Sequence, residues 1–339
     1  MSTESKASQV RINEFLMGIS AVAFVVVAIT GVLLSLWYVP SSDPLRMADG
    51  RTLTVITSTR TELVGPFTDT LVASPENPCL APARSGQAVT SAAQSSIRVA
   101  IHNAPFGKIV RRIHYWMSDV LLAALTALLV IMCLRRSYET DRSLWLRVLA
   151  LTVATVAGGW TGRILVDDVY AEISRRIMGH ELASAPMGDI LVRLLGIEPG
   201  SLLLARTYSL HGLILGAIAM LVFATDMRQA FRGERGFPAL LVGLLVAVGV
   251  SLISIPDWGM RDAVRGLAGW ERVSPWWGIV PFRAWSQWLG SELAGYVAIA
   301  LTTLLVTLPF WHRRMARTSV VGFLILLGVM LVAGLLFGN

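Results

Sequence analysis

The chain alternates between long apolar runs and polar segments, a pattern that predicts a bundle of membrane helices. A helix needs about 20 mostly apolar residues to cross a bilayer, and seven segments meet this requirement. They lie at 14–37, 114–134, 147–166, 207–226, 237–255, 287–310 and 319–337, and we label them segments A to G. The predicted fold class is therefore all-α, a polytopic membrane protein with seven transmembrane helices. The first thirteen residues are polar and no small-residue cleavage site follows segment A, so we expect A to remain as a helix.

Basic residues predict the orientation of this bundle. Lys and Arg are more than twice as frequent per residue in the N-terminal tail and the short B–C, D–E and F–G connections as in the long A–B, C–D and E–F connections. Positive residues concentrate on the cytoplasmic side, so we expect the N-terminus inside and the C-terminus outside. This topology explains the net charge of +7, and no clustered basic face indicates a nucleic-acid partner.

The long connections, all predicted on the outer side, contain structure of their own. The A–B connection has about 75 residues, including the strand-like run Thr52–Thr57. In the C–D connection, the sequence predicts two amphipathic helices around 167–180 and 187–196, with a break between them at Ala185-Pro186. The E–F connection is rich in Trp and Pro, which favours a position at the membrane interface.

The two cysteines do not indicate a disulfide framework. Cys133 lies in an apolar helix and is expected to pack there. Cys79 in the A–B connection is either a free thiol or paired with another subunit. The sequence has no CxxCH motif, paired CxxC, Walker loop or GxGxxG motif, so no nucleotide, zinc or c-type haem site is indicated.

Two histidines at the starts of segments B and D are the candidate chemistry. His114 and His211 each have an arginine upstream, Arg111 and Arg206. Ionisable groups inside a membrane are functional candidates, and imidazole is the most common metal ligand. Two histidines at one depth could hold one metal, including a planar iron cofactor. The alternative is a pair of interfacial histidines that are hydrogen-bonded to loops.

Several motifs accompany these residues along the chain. They are Ile29–Leu34 with Trp37–Pro40, Ser95–Arg98, Pro105–Gly107, Val110–Trp116, Thr161–Leu165 with Asp168, Pro186–Asp189 with Leu195-Gly196, and Leu204–His211. Together they resemble the cytochrome b family of bc- and bf-type quinol-oxidising complexes, nearly end to end. Seven helices with an outside C-terminus are similar to the bf-type arrangement, its four-helix haem-binding bundle fused to three further helices in one chain.

This resemblance implies a haem site. In the family, four histidines on the second and fourth helices hold two stacked b haems, one near each membrane face. The outer pair corresponds to His114 and His211. The upstream arginines stand at positions that bind haem propionates, and a guanidinium forks onto carboxylates. Glycines on the first and third helices let the haem lie flat against the backbone. The implied site residues are His114, His211, Arg111, Arg206, Gly31 and Gly162.

The resemblance also implies that the inner haem is lost. Its histidines would follow about fourteen or fifteen residues later, where the chain has Leu128 and either Thr225 or Asp226. Leu and Thr are not usual axial ligands. Val148 stands where helix C would need a small residue. We therefore expect one b-type haem near the outer face and no inner haem.

The outer quinone pocket departs from the family in the E–F connection. There the family has a Pro-Glu-Trp-Tyr motif whose glutamate takes a proton from quinol, whereas this chain has Trp276 at the glutamate position and Gly278 at the tyrosine position. An indole N–H only donates, so it cannot act as a base. Asp257 or Glu271 could substitute, or be solvated loop carboxylates. The residues of this possible degenerate pocket are Pro275, Trp276, Trp277 and Pro281.

These departures leave three functional hypotheses. The first is an electron-transfer and anchoring subunit of a respiratory complex in an energy-transducing membrane, expected to be a bacterial plasma membrane. It would connect the quinone pool or a membrane neighbour with an outer cytochrome or iron–sulfur protein, without complete quinol-splitting activity. The others are a haem-poor scaffold and a quinol oxidase with a relocated proton acceptor.

The predicted domains of the chain are a tail at 1–13, a haem domain at 14–226 with an insertion at about 41–94, and a C-terminal domain at 227–339.

Overall fold

The described part of the chain is a bundle of apolar helices. The computed structural model describes residues 3–56, 61–64, 69–72, 79–82, 89–183, 188–195, 202–232, 236–255, 291–311 and 322. Helices long and apolar enough to cross a membrane lie at Ile12–Ser35, Gly107–Leu134, Arg142–Ile164 and Leu203–Ala224, which confirms segments A to D as membrane-span candidates. Shorter apolar helices at Gly236–Ser251 and Tyr296–Phe310 fall on segments E and F. Segment G and most of the E–F connection lie outside the described residues.

The helices begin and end at slightly different residues from those predicted. Segments B and D gain residues at their N-terminal ends, because residues 107–113, which include three basic side chains, and the mostly apolar residues 202–206 are also helical. A π-helical segment, Ser209–Leu215, joins α8 to α9 without a break, so these form one long helix. The helices are α1 (Thr3–Ser35), α2 (Ala92–Ser95), α3 (Gly107–Leu134), α4 (Ser137–Thr140), α5 (Arg142–Ile164), α6 (Val169–Ala183), α7 (Gly188–Leu195), α8 (Leu202–Tyr208), α9 (Gly216–Arg232), α10 (Gly236–Ser251) and α11 (Ser291–Thr307).

An apolar core fills the half of the bundle that is predicted to lie toward the cytoplasm. Phe24 of α1 stacks on Phe223 of α9 with ring centroids 4.9 Å apart. Trp145 of α5 is fully buried, and its Nε1 donates to the Leu305 carbonyl of α11 at 2.8 Å. This core connects helices from both predicted domains. Its fully or almost fully buried members include Met117, Leu125, Leu128, Met132, Tyr138, Trp145, Val148, Leu151 and Phe223.

Small residues bring α10 against α1. A Cβ on Gly18 would lie 2.6 Å from the Ala239 Cβ, and one on Gly243 would lie 2.6 Å from Val22 Cγ1. Both distances are too short for any side chain, so close approach of the two backbones needs glycine at these positions. Such small-residue contacts are the usual way in which membrane helices pack.

The end of α10 is held by α3. Arg112 Nη1 donates to the Ser251 carbonyl at 3.4 Å, and Trp116 Nε1 donates to the Ile253 carbonyl at 3.2 Å. The last carbonyls of a helix have no partner within it, and side chains of a neighbouring helix supply donors here. The start of the E–F connection is thereby fixed beside the residues that surround His114.

The A–B insertion adds two antiparallel strand pairs to the helical bundle. Strand β1 (Leu53–Ile56) pairs with β4 (Cys79–Pro82), and β2 (Thr61–Val64) pairs with β3 (Asp69–Val72). The strand predicted at 52–57 is confirmed by β1. Backbone bonds from Leu45 N to Thr90 O (3.0 Å) and from Thr90 N to Leu53 O (2.9 Å) close the base of the insertion.

The C–D connection forms the two predicted helices, α6 and α7. The turn before α6 contains Asp167 at φ 52°; its carbonyl accepts from Gln94 Nε2 at 2.6 Å. Asp168 Oδ1 accepts from the Ala171 N–H at 2.9 Å and caps α6. The turn therefore ties the residues after α5 to α2. The break predicted at Ala185-Pro186 lies outside the described residues.

Candidate functional site

Both histidines lie inside their helices rather than at the helix mouths. His114 follows the first residue of α3, Gly107, by seven positions, and His211 follows the first residue of α8, Leu202, by nine. At about 1.5 Å per residue, each ring is roughly 10 Å or more beyond its helix start. The predicted apolar runs start at or near these histidines, but the helices begin earlier, because residues 107–113 and 202–206 are also helical. His211 also lies within the π-helical segment, and such segments are frequent at functional sites.

His114 is oriented by α1. Its Nδ1 lies 3.0 Å from the Val27 carbonyl oxygen and 3.2 Å from Thr30 Oγ1. The Thr30 hydroxyl donates to the Val26 carbonyl at 2.7 Å. Because that hydroxyl proton is engaged, the hydroxyl oxygen can act only as an acceptor toward the ring.

His211 is oriented in the same way by α5. Its Nδ1 lies 3.0 Å from the Gly158 carbonyl oxygen and 3.0 Å from Thr161 Oγ1. The Thr161 hydroxyl donates to the Ala157 carbonyl at 2.8 Å. In both halves the ring therefore meets one carbonyl and, three residues later in the same helix, one threonine. The two halves of the site are built alike.

This arrangement determines which ring nitrogen can bind a metal. A carbonyl oxygen only accepts, so Nδ1 of each ring carries the proton and donates to the carbonyl. Each neutral imidazole then has its lone pair on Nε2. Metal-binding histidines usually donate their other ring N–H in this way, which fixes the tautomer and the ring orientation. Nε2 is therefore the nitrogen of each ring that can bind a metal.

The distance between the two rings fits a shared metal. The ring centroids of His114 and His211 lie 6.1 Å apart, with an angle of 68° between the ring planes. Two imidazoles on opposite sides of one metal, each bound at about 2.0 Å, have ring centres roughly 6 Å apart. No group of three or more His, Cys, Asp or Glu side chains within the described ranges could hold a metal ion. Two axial imidazoles with a planar ligand supplying the other donors fit this donor set.

Glycines lie directly against both imidazoles. A Cβ on Gly31 would lie 3.1 Å from His114 Cε1, and a Cβ on Gly162 would lie 3.0 Å from His211 Cε1. Each glycine follows the threonine that contacts the same ring. The structure thus brings together four of the six residues that the resemblance implied, two histidines and two glycines.

The other predicted site residues are less closely defined. Arg111 is on α3, one turn before His114, and is partly buried, whereas Arg206 on α8 is exposed. Both are on the helix that carries the corresponding histidine. The residues Pro275, Trp276, Trp277 and Pro281 lie outside the described residues.

The sequence did not single out the threonines that contact the two imidazole rings. Thr30 and Thr161 were noted only as parts of motifs, although a Thr-Gly pair on each of helices A and C was a readable signal. Tyr38 was also missed: its hydroxyl donates to the Leu165 carbonyl at 2.8 Å, and its ring lies 5.4 Å from the Tyr208 ring. Burial, then the charge of Asp167, raises the pKa of Tyr38 well above its usual range, so this hydroxyl keeps its proton.

The positions of the family's second haem are occupied by core side chains. Leu128, fourteen residues after His114, and Val148 on α5 are both fully buried. Both belong to the apolar core that contains the stacked Phe24 and Phe223. Thr225 and Asp226 are on α9, but their side chains are outside the described set.

Comparison with known proteins identifies similar chains. A family model described as cytochrome b (N-terminal)/b6/petB matches residues 119–239. A cytochrome bc complex cytochrome b subunit of Chlorobaculum thiosulfatiphilum is 30% identical over 126 residues, 36% of this chain and 29% of the relative. The cytochrome bc1 complex cytochrome b subunit of Streptomyces coelicolor is 24% identical over 256 residues, 70% of this chain and 46% of the relative. Cytochrome b6 of Prochlorococcus marinus is 31% identical over 127 residues, 36% of this chain and 58% of the relative.

A solved structure has the same fold. A chain of a hyperthermophilic respiratory Complex III is similar with a TM-score of 0.62 and 16% sequence identity, over 96% of this chain and 85% of that chain. The fold and the paired imidazoles define the class, an integral membrane bundle with a two-histidine site. The family match over residues 119–239 and the relatives support a cytochrome b of the bc or bf type. The chain's matches span less than two thirds of the lengths of these relatives.

Proposed function

We propose that the chain holds one b-type haem per molecule, with His114 and His211 as the axial ligands. The observation that carries this proposal is the matched orientation of the two rings, each with its Nδ1 engaged by a carbonyl and a threonine. Such a haem, when bound, accepts and donates one electron at a time. The residues of the chain contribute the axial nitrogens, fix the tautomer of each ring and leave room beside the glycines.

Arg111 and Arg206 are proposed to bind the haem propionates. Each lies upstream of a ligand on the same helix, toward the outer side in the predicted orientation. A guanidinium keeps its charge and binds carboxylates through two parallel hydrogen bonds. Neutralising the propionates by arginine reduces the cost of holding carboxylates near an apolar bundle.

We propose that no inner haem is bound. Leu128 and Val148 are fully buried against neighbouring side chains where the family has a ligand and a small residue. A second haem would have to displace this packed core, and Leu128 offers no lone pair. With Trp276 at the position of the family's glutamate, complete splitting of quinol electrons between two routes is not expected.

The function that fits best is an electron-transfer and anchoring subunit of a membrane redox complex. Two of the relatives are described as cytochrome b subunits of bc or bc1 complexes, which supports the assignment to such a complex. The haem is proposed to lie near the outer face, with the N-terminus cytoplasmic and the C-terminus outside. It would exchange electrons with the quinone pool or a membrane neighbour and with an outer cytochrome or iron–sulfur protein. The A–B insertion gives an outer surface on which that partner could bind.

Haem content measured against protein content tests the proposal. The purified chain should show a low-spin b-type reduced-minus-oxidised spectrum and one haem per chain. Two haems per chain would contradict the loss of the inner site, and no haem would favour the scaffold alternative. Quinol oxidation that is sensitive to outer-pocket inhibitors would instead favour a relocated proton acceptor.

A further inference from the structure

Arg163 carries a positive charge and is a sequence neighbour of the histidine site. It is on α5 directly after Gly162, the residue that lies against His211. Its guanidinium carbon lies 3.9 Å from the centre of the Tyr115 ring, and Tyr115 directly follows His114. The guanidinium is also 5.8 Å from the Tyr170 ring of α6. The guanidinium of α5 therefore contacts α3 through Tyr115 and α6 through Tyr170.

The surroundings hold this charge in place. Two tyrosine rings provide cation–π contacts with the guanidinium. Arg163 is also in the last turn of α5, where the carbonyl end of a helix favours a cation. An arginine whose only role was to reach the interface would extend into water or headgroups. Here the guanidinium instead packs on the residue next to an axial histidine.

A fixed cation beside a redox centre changes its electron affinity. Adding an electron lowers the charge of the iron site by one, so a nearby positive charge stabilises the reduced form more than the oxidised form. Charges act more strongly in a membrane bundle than in water because the effective dielectric constant is lower. Asp119, one turn after Tyr115 on α3, is an acidic residue of the same region. Of these two charged residues, Arg163 directly follows Gly162, the residue that lies against His211.

We propose that Arg163 is an electrostatic tuning residue that raises the reduction potential of the haem held by His114 and His211. This inference rests on the proposed function, since it requires a haem at that site. It adds a role for a residue that is neither an axial ligand nor a propionate-binding arginine. The rings of Tyr115 and Tyr170 hold the guanidinium in place. We expect the reduction potential to depend on the charge of residue 163 and not on the volume of its side chain.

Potentiometric titration of the reduced haem band in the full-length protein tests this proposal. Arg163→Gln should lower the midpoint potential, and Arg163→Lys should keep it near that of the unaltered protein. Arg147→Gln is the matched control, because it removes an equal charge from the same helix sixteen residues earlier, about 24 Å away along the axis. It should leave the potential unchanged. Should Arg163→Gln fail to accumulate, Arg163→Met makes the same comparison while keeping apolar contact with the tyrosine rings.

The possible outcomes are distinguishable. A potential lowered in Arg163→Gln but not in Arg163→Lys or Arg147→Gln supports the tuning role. A normal low-spin spectrum with equal potentials in all variants overturns this inference and leaves the haem assignment intact. A shift as large in Arg163→Lys as in Arg163→Gln also overturns it, because packing rather than charge would be responsible. If the unaltered protein has no low-spin band, both the proposed function and this inference fail.

Discussion

The two ends of the four-helix bundle use the same helices for different purposes. At one end, α1 and α5 each present a carbonyl, a threonine and a glycine to a histidine of the facing helix. At the other end, the same helices present Phe24 and Val148 to a close-packed apolar core. Polar groups that would be costly in an apolar core are concentrated where they satisfy one another. If the inner haem is absent as proposed, a family site has been replaced by ordinary packing within the same helical framework.

The largest expected effect comes from the axial ligands. His114→Ala and His211→Ala should each abolish the low-spin spectrum, because ligation by two imidazoles requires both rings. His102→Ala is the control, since His102 lies before α3 and outside the site. The measurement is the haem-to-protein ratio and the optical spectrum of each purified variant. Survival of an unchanged spectrum in either ligand variant would refute the assignment.

A side chain at either site glycine should remove most of the bound haem. In Gly31→Val and Gly162→Val, the new Cβ would lie 3.1 Å and 3.0 Å from a histidine ring, so the ring must shift. Gly249→Val on α10 is the control, because no atom lies within 4 Å of its added Cβ. Haem content after purification measures the effect. Equal occupancy in all three variants would mean that close approach to the rings is unnecessary.

Removing a side chain from the apolar end should destabilise the fold without changing the haem spectrum. Leu128→Ala leaves a cavity in a fully buried position and should cost about 2–5 kcal/mol of stability. Leu134→Ala on the same helix is the control, because Leu134 is 65% exposed. Thermal or denaturant unfolding in detergent compares the two. A cost no greater than that of the control would contradict the described packing.

The smallest expected effect concerns the threonines beside the rings. Thr30→Val and Thr161→Val remove one acceptor from Nδ1 while leaving the carbonyl bond. Loss of an outer-shell partner typically weakens metal binding by about 10–100-fold, and the lower end is expected here. Thr155→Val is the control: its hydroxyl bonds the Leu151 carbonyl on α5. Haem transfer to an apo-acceptor protein would measure retention, and unequal losses at the two threonines would contradict the likeness of the two halves.

Apolar run length predicted the helices of segments A to D well, because bilayer thickness sets a strong requirement on composition. The His114 and His211 pair and the two glycines were also predictable, since their motifs resemble a known family. Helix boundaries were less accurate at α3 and α8, which begin seven and five residues before the predicted segments. At α3 the added turns contain Lys108, Arg111 and Arg112, which hydropathy does not count toward a membrane helix.

The contacts around the rings could not be predicted. Which carbonyl meets each imidazole depends on the rotation of α1 and α5 relative to α3 and α8, and no residue pattern in one helix specifies that rotation. Arg163 shows the same difficulty. Its position in the sequence indicated only a charge that intrudes on a membrane segment, whereas its tyrosine contacts come from α3 and α6.

The contact between α1 and α10 bears on how such a protein can be encoded. Gly18 meets Ala239 and Gly243 meets Val22 across an interface that includes no covalent link, and Trp145 adds a hydrogen bond to α11. The helices before and after residues 233–235 therefore pack against each other through their own residues. One gene could be divided there into two, and we expect the separately translated pieces, residues 1–232 and 233–339, to assemble in the membrane. Substituting leucine at Gly18 or Gly243 would make the pieces depend on the peptide chain that normally joins them.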